Sequence, residues 1–118
     1  MAPVTMSNPP SVRAPTGYTH GLVLQGVERR LIISGQIGMA QQVAQAFANL
    51  RAVLEANDMS VTNLVKTTVF LTDRSLLASF RAARDSVYAG HAPCSTLLFV
   101  AGLADPRLMV EIEAEAVA

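Results

Sequence analysis

The sequence predicts an α+β domain in which two helices cover one face of a single mixed β-sheet. Strand-like and helix-like segments alternate along the chain, some neighbouring strands are joined by short turns, and two segments have helical periodicity. The length of 118 residues is enough for one domain with one core, but not for two. Two helices shield only one side of a sheet, so we expect further subunits to cover the other side.

The first 16 residues are the least regular part of the sequence and are predicted to form an extended N-terminal arm. They contain four of the six prolines, at positions 3, 9, 10 and 15. A strand-like segment follows over residues 18–25, and residues 26–28 offer a turn into a second strand over residues 30–34. We therefore predict a hairpin, which Gly35 and Gly38 bring to an end.

Two later segments have the spacing of amphipathic helices. Apolar residues recur at intervals of three and four over residues 41–57, which predicts the first helix. A strand rich in β-branched residues follows over 65–72. Asp73 or Ser75 can then cap a second helix, which Gly90 closes. We expect the inner face of this second helix to consist of Leu76, Leu77, Phe80, Ala83 and Val87.

The C-terminal strand carries the most informative pattern in the chain. After an apolar strand over residues 97–101 and a turn, polar and apolar residues alternate strictly from Met109 to Val117. One side of this strand presents Glu111, Glu113 and Glu115, three of the nine acidic residues, with neighbours about 7 Å apart. The glutamates of such a face must be solvated, be paired with cations, or include one carboxylate that takes part in a reaction.

Composition narrows the class of protein. Charged residues make up only 15% of the chain and hydrophobic residues 51%, and this shortage of charge favours apolar contacts between subunits. The nine basic residues equal the nine acidic ones and are scattered, so we expect no nucleic-acid partner. The sequence shows neither a membrane span nor an export signal. We therefore expect a cytoplasmic protein without a membrane partner.

Two histidines and the single cysteine were candidates for further chemistry. His20 and His91 have no second ligand at a metal-binding spacing, so we interpret them as loop or surface histidines and expect no metal site. Cys94 has no cysteine partner, which excludes an internal disulfide. The nearest histidine in the sequence is separated from Cys94 by a proline, and we interpret the thiol as packed rather than nucleophilic.

Several short sequence motifs together resemble the RidA/YjgF/UK114 family, and they occur in the same order as in that family over residues 13–118. The most specific of them are Ser-Gly-Gln-Ile at residues 34–37, Lys-Thr-Thr-Val-Phe-Leu-Thr-Asp at 66–73 and Glu-Ile-Glu-Ala at 111–114. The resemblance implies one domain over residues 1–118 with a chorismate-mutase-like, YjgF-type fold. It also implies a homotrimer with small-molecule pockets at the subunit interfaces. For the best-known members it implies hydrolysis of reactive enamines or imines to keto acids and ammonia, without metal or organic cofactor.

The resemblance also assigns roles to individual residues. The family's general acid/base glutamate falls on Glu111, its pocket tyrosine on Tyr18, and the glycine whose amide helps to hold the ligand on Gly35. These three positions agree with the family pattern, so the resemblance implies a ligand pocket that contains them.

The chain departs from the family at the position that binds the substrate carboxylate. Deaminating members read Pro-Ala-Arg-Ser, whereas residues 93–96 read Pro-Cys-Ser-Thr, so that Ser95 stands in place of the arginine. Leu97 stands where many members have a thiol. Cys94 cannot replace that thiol, because it lies three residues earlier and on the opposite face of the strand.

The exchange of arginine for serine has a large expected effect on carboxylate binding. A guanidinium offers two charge-assisted hydrogen bonds of about 1.5 to 3 kcal/mol each, against about 1 kcal/mol for one neutral donor. Therefore the substrate has no carboxylate, another cation binds it, or the chain does not deaminate. The sequence offers four candidates for the second option, namely Arg13, Arg29, Arg30 and Arg107.

Two functions remain open from the sequence. In the first, the protein is a divergent enamine or imine hydrolase in which Glu111 moves protons to and from the attacking water. Tyr18 then closes the pocket, while Ser95 and the Gly35 amide orient the substrate. In the second, the protein is a non-catalytic trimer that binds a small molecule or protects other proteins. Ribonuclease activity, also proposed for the family, is disfavoured because no basic groove is evident.

Overall fold

The computed structural model describes residues 4–37 and 42–118. Along the chain it contains the strands and helices β1 (Val4–Ser7), β2 (Gly21–Leu24), β3 (Arg30–Gln36), α1 (Gln42–Ala56), β4 (Leu64–Leu71), α2 (Leu77–Tyr88), β5 (Cys94–Phe99) and β6 (Val110–Val117). Short 3-10 turns at Val61–Asn63 and Arg74–Leu76 precede β4 and α2. No helix within the described ranges has the length and apolarity needed to cross a membrane.

The main sheet has four strands in the order β3–β6–β4–β5. The strand β6 runs antiparallel to both of its neighbours, whereas β4 and β5 are parallel. A parallel pair needs a crossover connection, and α2 provides it. The mixed sheet of the predicted α+β fold is therefore confirmed.

Both helices pack on one face of this sheet, as predicted. The Phe47 ring of α1 stacks on Phe80 of α2 with ring centres 5.7 Å apart, and meets Tyr88 edge-on at 5.8 Å. Beneath these rings lie buried residues of β4 and β6, among them Val69 and Ile112. The resulting core fixes the orientation of β6, because its apolar side faces the helices.

The alternation predicted for β6 is confirmed. Its apolar residues Val110, Ile112, Ala114 and Ala116 are buried, whereas Glu111, Glu113 and Glu115 lie on the opposite side. We call this side the open face; the strand registers add to it Ile32 of β3, Lys66, Thr68 and Phe70 of β4, and Thr96 and Leu98 of β5. Exposed fractions of 64% for Ile32 and 45% for Leu98 make this face partly apolar.

The predicted hairpin of residues 18–25 with 30–34 is wrong. The strand β2 pairs instead with β1 in the N-terminal arm, with Val4 opposite Leu24. The amides of Glu28 and Arg29 both donate to the Ala118 carbonyl, at 3.1 and 3.0 Å, so these residues continue the contact between β3 and the end of β6. A short connection around Gly26, which has a φ of +61°, joins β2 to residues 28 and 29, so β2 lies outside the main sheet.

Helix ends follow the local sequence closely. The described part of the first helix, Gln42–Ala56, agrees with the predicted range of 41–57, of which residue 41, like Gly38, lies outside the described residues. The Asp73 carboxylate accepts a 2.8 Å hydrogen bond from the Ser75 amide, and this bond lowers the pKa of Asp73. The helix α2 ends in left-handed conformations at Ala89 and Gly90.

Candidate functional site

Glu111 lies on the open face, packed against the backbone of Gly35. A register shift between Ile33 and Gln36 of β3 places Gly35 beside the glutamate. A Cβ atom added to Gly35 would overlap the Glu111 carboxylate group, so the absence of a side chain is what makes room for it. On the other side, Glu111 stands opposite Phe70 of β4. The structure thus brings together two of the five predicted site residues.

The other two glutamates of the open face have different surroundings. Glu115 accepts a 2.7 Å hydrogen bond from the Arg30 guanidinium, and this contact raises the pKa of Arg30. Glu113 is exposed and stands opposite Thr68. Both line a depression of about 160 Å³. Among the three carboxylates, Glu111 is the one that packs against a glycine of the described residues, Gly35.

Lys66 is a cation of the open face that the sequence analysis missed. It is exposed, stands opposite Glu115 in the register of β4 and β6, and lines the same depression. The alternation of residues 65–72 could have identified Lys66 as a residue of the second face of this strand, because every second residue of a strand points to the same side. Its pairing with the glutamate strand, however, is a long-range contact that local patterning does not reveal.

Tyr18 lies in a separate cleft near the C-terminal end of α2. The cleft has a volume of about 400 Å³ and is lined by Pro15, Gly17, Tyr18, Asp85, Tyr88, Gly90, His91 and Ala92. The Tyr18 ring meets the His20 ring edge-on at 5.4 Å. None of the residues that line the cleft belongs to the open face, so a single chain does not bring Tyr18 to Glu111.

Ser95 and Leu97 lie on the helix side of β5, opposite to the open face. Thr67 Oγ1 donates a 3.0 Å hydrogen bond to Ser95 Oγ, and Leu97 packs against the hydrophobic core. Because alternate side chains of a strand point to opposite faces, a single chain keeps both residues away from Glu111.

A buried phenol adjoins the Ser95–Thr67 pair. Burial raises the pKa of Tyr88 to about 12, although the neighbouring Thr67 hydroxyl and the positive charge of Arg84 both act to lower it. Ser95, Thr67 and Tyr88 therefore lie in a polar layer between the sheet and α2.

The four arginines considered from the sequence have other contacts. Arg107 binds Asp105 with a shortest distance of 2.7 Å, and this hydrogen bonding lowers the pKa of Asp105 to about 2. Arg29 donates to the Asn57 carbonyl, and Arg30 binds Glu115. Arg13 is exposed. The contacts found within the described ranges place none of them against Glu111.

The histidines and the cysteine have local structural contacts. The His91 ring is hydrogen-bonded to the Leu64 carbonyl at 2.7 Å, and the His20 ring to the Arg13 carbonyl. Cys94 is half-buried, with its sulfur 3.8 Å from the His20 carbonyl oxygen. Over residues 4–37 and 42–118 there is no cluster of three or more His, Cys, Asp or Glu side chains suited to a metal ion.

The mixed four-stranded sheet with two helices on one face defines a small α+β protein of the YjgF structural class. The family model described as "Endoribonuclease L-PSP" matches residues 9–118. The chain therefore belongs to this family, that of the RidA/YjgF/UK114 proteins.

Curated relatives and solved structures agree with this assignment. The chain is 34% identical over 103 residues to the 2-iminobutanoate/2-iminopropanoate deaminase of Rattus norvegicus, covering 77% of this chain and 74% of that protein. It is 33% identical over 114 residues to the protein of the same name from Escherichia coli K12, covering 82% and 88%. The crystal structure of YyfB from Yersinia pestis, a Rid-family protein of unknown function, superposes with a TM-score of 0.85 at 27% identity and 98% coverage of both chains.

Proposed function

We propose that the protein is a divergent hydrolase of enamine or imine bonds, with Glu111 as its general acid and base. The observation that carries this proposal is the half-buried carboxylate packed on Gly35, a contact that a side chain at position 35 would prevent. Relatives named as deaminases of 2-iminobutanoate and 2-iminopropanoate support the reaction class. We expect the enzyme to act in the cytoplasm without metal or organic cofactor.

The proposed reaction needs one group that both accepts and donates a proton. Glu111 takes a proton from water while the water oxygen bonds to the imine carbon, and returns that proton to the nitrogen, which gives a neutral carbinolamine. Glu111 then moves the hydroxyl proton of the carbinolamine to the nitrogen, the carbon–nitrogen bond breaks as the carbonyl bond forms, and ammonia leaves. The backbone amide of Gly35 donates a hydrogen bond to the bound substrate. Because glycine has no side chain, the substrate can approach this part of the backbone closely.

The complete site of this proposal lies between subunits of a homotrimer. A single chain holds Glu111 and Gly35 on the open face, but Tyr18, Ser95 and Leu97 elsewhere. A second copy docked on the open face would cover its exposed apolar residues, Ile32 and Leu98, and would bring the Tyr18 cleft of that copy towards Glu111. Ser95 and Leu97 keep their contacts on the helix side of each copy.

The catalytic proposal is tested by hydrolysis of two substrates, freshly generated 2-aminoacrylate and an imine without a carboxylate. We expect at least one to be consumed faster than in buffer, and Glu111→Gln to abolish the difference. Glu113→Gln is the matched control, because Glu113 shares the strand and face but lacks the glycine contact. Equal rates with and without enzyme for both substrates, or full activity of Glu111→Gln, would exclude the catalytic role.

The alternative is a trimeric module that binds a small molecule, or protects other proteins, without chemistry. One observation favours it: Ser95 stands at the arginine position and is engaged by Thr67 in the layer beneath the helices. A thermal-shift screen of metabolites followed by mass analysis separates the two functions. A binding module would be stabilised by a ligand that is recovered unchanged, whereas the hydrolase would release ammonia.

A further inference from the structure

Three side-chain amides on one face of α1 reach the backbone on both sides of the Glu111–Gly35 contact. They belong to Gln42, Gln45 and Asn49, whose spacing of three and four residues places them along one side of the helix. Gln42 and Asn49 are half-buried, whereas Gln45 is exposed. We call these three residues the amide row. The sequence analysis did not consider them, because a sequence does not indicate which backbone group a side-chain amide binds.

Asn49 holds the chain at the end of β3. Its Nδ2 donates a 2.6 Å hydrogen bond to the Ile37 carbonyl, and its Oδ1 accepts a 2.7 Å hydrogen bond from Gln45 Nε2. The pairing of β3 with β6 ends at Gln36, so Ile37 is the first residue beyond the paired part of the strand. Because Gly35 lies two residues before Ile37, the bond from Asn49 limits the movement of Gly35.

Gln42 holds the chain that precedes Glu111. Its Nε2 donates a 3.0 Å hydrogen bond to the Arg107 carbonyl, and its Oε1 accepts a 2.6 Å hydrogen bond from the Met109 amide. The Met109 carbonyl accepts a further 3.1 Å hydrogen bond from the amide of Thr72, the residue that follows β4. Both backbone groups of Met109 are therefore bound, two residues before Glu111.

The hydrogen bonds of the amide row act on the two sides of one close contact. Gly35 and Glu111 belong to different strands, and the room between them is smaller than one methyl group, so a shift of either strand changes their fit. The helix α1 is fixed in the core by residues such as Phe47 and Leu50, which are buried. It therefore gives both strand ends a common rigid support. A displacement of about 1 Å in a reacting group can lower a rate about a hundredfold.

We propose that the amide row positions Glu111 against Gly35, with Asn49 and Gln42 as positioning residues for the reaction. The reaction itself rests on the proposed function. The two amides act through the backbone of Ile37 and Met109 rather than on the substrate. Loss of either amide should therefore lower kcat, which depends on the orientation of the carboxylate, and leave KM nearly unchanged.

The first test measures kcat and KM on the full chain, with 2-aminoacrylate and with an imine that has no carboxylate. We expect Asn49→Ala to lower kcat about tenfold or more while KM stays within about twofold. Asn57→Ala is the matched control. Asn57 Nδ2 donates a 2.8 Å hydrogen bond to the Val53 carbonyl at the end of α1, so this variant loses the same kind of bond away from both strands. Its kcat should stay within about twofold of that of the unmodified protein.

Gln45→Ala keeps the proposal testable if Asn49→Ala does not fold. Gln45 is exposed and orients the Asn49 amide, so its truncation loosens the bond to Ile37 without removing the donor. We expect kcat to fall about two- to fivefold. An unchanged kcat in Asn49→Ala, or in Gln45→Ala where Asn49→Ala is unfolded, would overturn the proposal. An equal loss of kcat in Asn57→Ala would do the same.

A second measurement needs no activity and separates positioning from a purely structural role. The effects of Gly35→Ala and Glu111→Ala on the free energy of unfolding should be non-additive, because the two residues are in contact. In the Asn49→Ala background we expect this non-additivity to fall by about half or more, since the end of β3 is released. A purely structural Asn49 would lower the stability and leave the non-additivity unchanged, which would overturn the proposal.

Failure of this proposal and failure of the proposed function give different results. If the unmodified protein hydrolyses neither substrate, the proposed function fails, and the non-additivity of Gly35→Ala and Glu111→Ala alone decides whether the amide row positions Glu111. If hydrolysis depends on Glu111 but kcat is unchanged in Asn49→Ala, the proposed function stands and the role of the amide row is excluded.

Discussion

Thr67 donates its hydroxyl hydrogen to Ser95 across a 3.0 Å contact between parallel strands, in the layer that faces α2. Thr67 is 1% exposed, so its hydroxyl has little access to water. Ser95 therefore satisfies a buried donor, and its hydroxyl has a structural partner within the chain. This contact gives serine a structural role at the position where the family resemblance led us to expect arginine.

A first prediction concerns the contribution of the Thr67–Ser95 hydrogen bond to the free energy of unfolding. Ser95→Ala should lower the free energy of unfolding by about 1 to 2 kcal/mol, because the Thr67 hydroxyl loses its acceptor. Urea denaturation measures the change. Thr96→Ala on the same strand is exposed and should stay within about 0.5 kcal/mol. If Ser95→Ala proves as stable as Thr96→Ala, while ligand affinity falls, Ser95 is a binding residue rather than a structural one.

Local patterns predicted the helices and the faces of single strands. The range predicted for α1 was correct because a period of 3.6 residues is written in the sequence of the helix itself. The side of β6 that carries Glu111 was likewise fixed by strict alternation. Such features depend on neighbouring residues, and no knowledge of the remaining chain is needed to infer them.

Long-range contacts explain what the sequence analysis missed. The strand β2 pairs with β1 rather than β3, although a short turn separates it from β3, since the end of β6 engages Glu28 and Arg29. Arg84 lies against Gly17, 67 positions earlier in the sequence, and periodicity gives no sign of that contact. The family resemblance named the residues of the candidate site one by one, but it gave no indication that a single chain holds them in two separate regions.

A second prediction follows from the buried phenol of Tyr88. Its pKa is raised from 10 to about 12 in the folded protein, so the neutral form is favoured by folding. The associated stability is fully present below pH 10 and is lost as the pH rises from 10 to 12. We expect a decrease of up to about 3 kcal/mol over this interval in denaturation experiments.

The matched control for this alkaline transition is Tyr88→Phe. It removes the ionisable group and should therefore flatten the pH dependence of the free energy of unfolding above pH 10. An equally steep decline in Tyr88→Phe would assign the transition to another group.

A third prediction concerns the turn before β6. Hydrogen bonds from Arg107 lower the pKa of Asp105 to about 2, so its carboxyl carbon should titrate near pH 2 in NMR spectra. Arg107→Gln should return the midpoint towards the ordinary range near 4. Arg29→Gln, whose guanidinium donates to Asn57 instead, should leave the Asp105 midpoint unchanged.

A fourth prediction concerns the open face as a contact between copies. Ile32→Lys introduces a charge at an apolar side chain that is 64% exposed, and burying that charge in an interface would be unfavourable. We expect light scattering to show a shift from trimer to monomer at micromolar concentration. Val12→Lys, at a 44% exposed position of the N-terminal arm, should leave the mass unchanged. A trimer that survives Ile32→Lys would place the contact elsewhere.

The last prediction tests the contact between Gly35 and Glu111 by a double-mutant cycle. Gly35→Ala places a methyl group in the volume of the Glu111 carboxylate, and such overpacking should cost about 1 to 3 kcal/mol. In the Glu111→Ala background the obstructing group is absent, so the same change at Gly35 should cost much less. The difference between the two costs is the coupling energy of the pair, and residues in direct contact show values of about 0.5 to 3 kcal/mol.

The same variants separate stability from activity. Gly35→Ala should also impair hydrolysis, because the displaced carboxylate no longer faces the substrate, whereas Ser34→Ala, the preceding residue of β3, should retain it. If the two costs in the cycle are equal, Gly35 does not position Glu111. The half-buried carboxylate would then lack the feature that distinguishes it from Glu113 and Glu115 on the same strand.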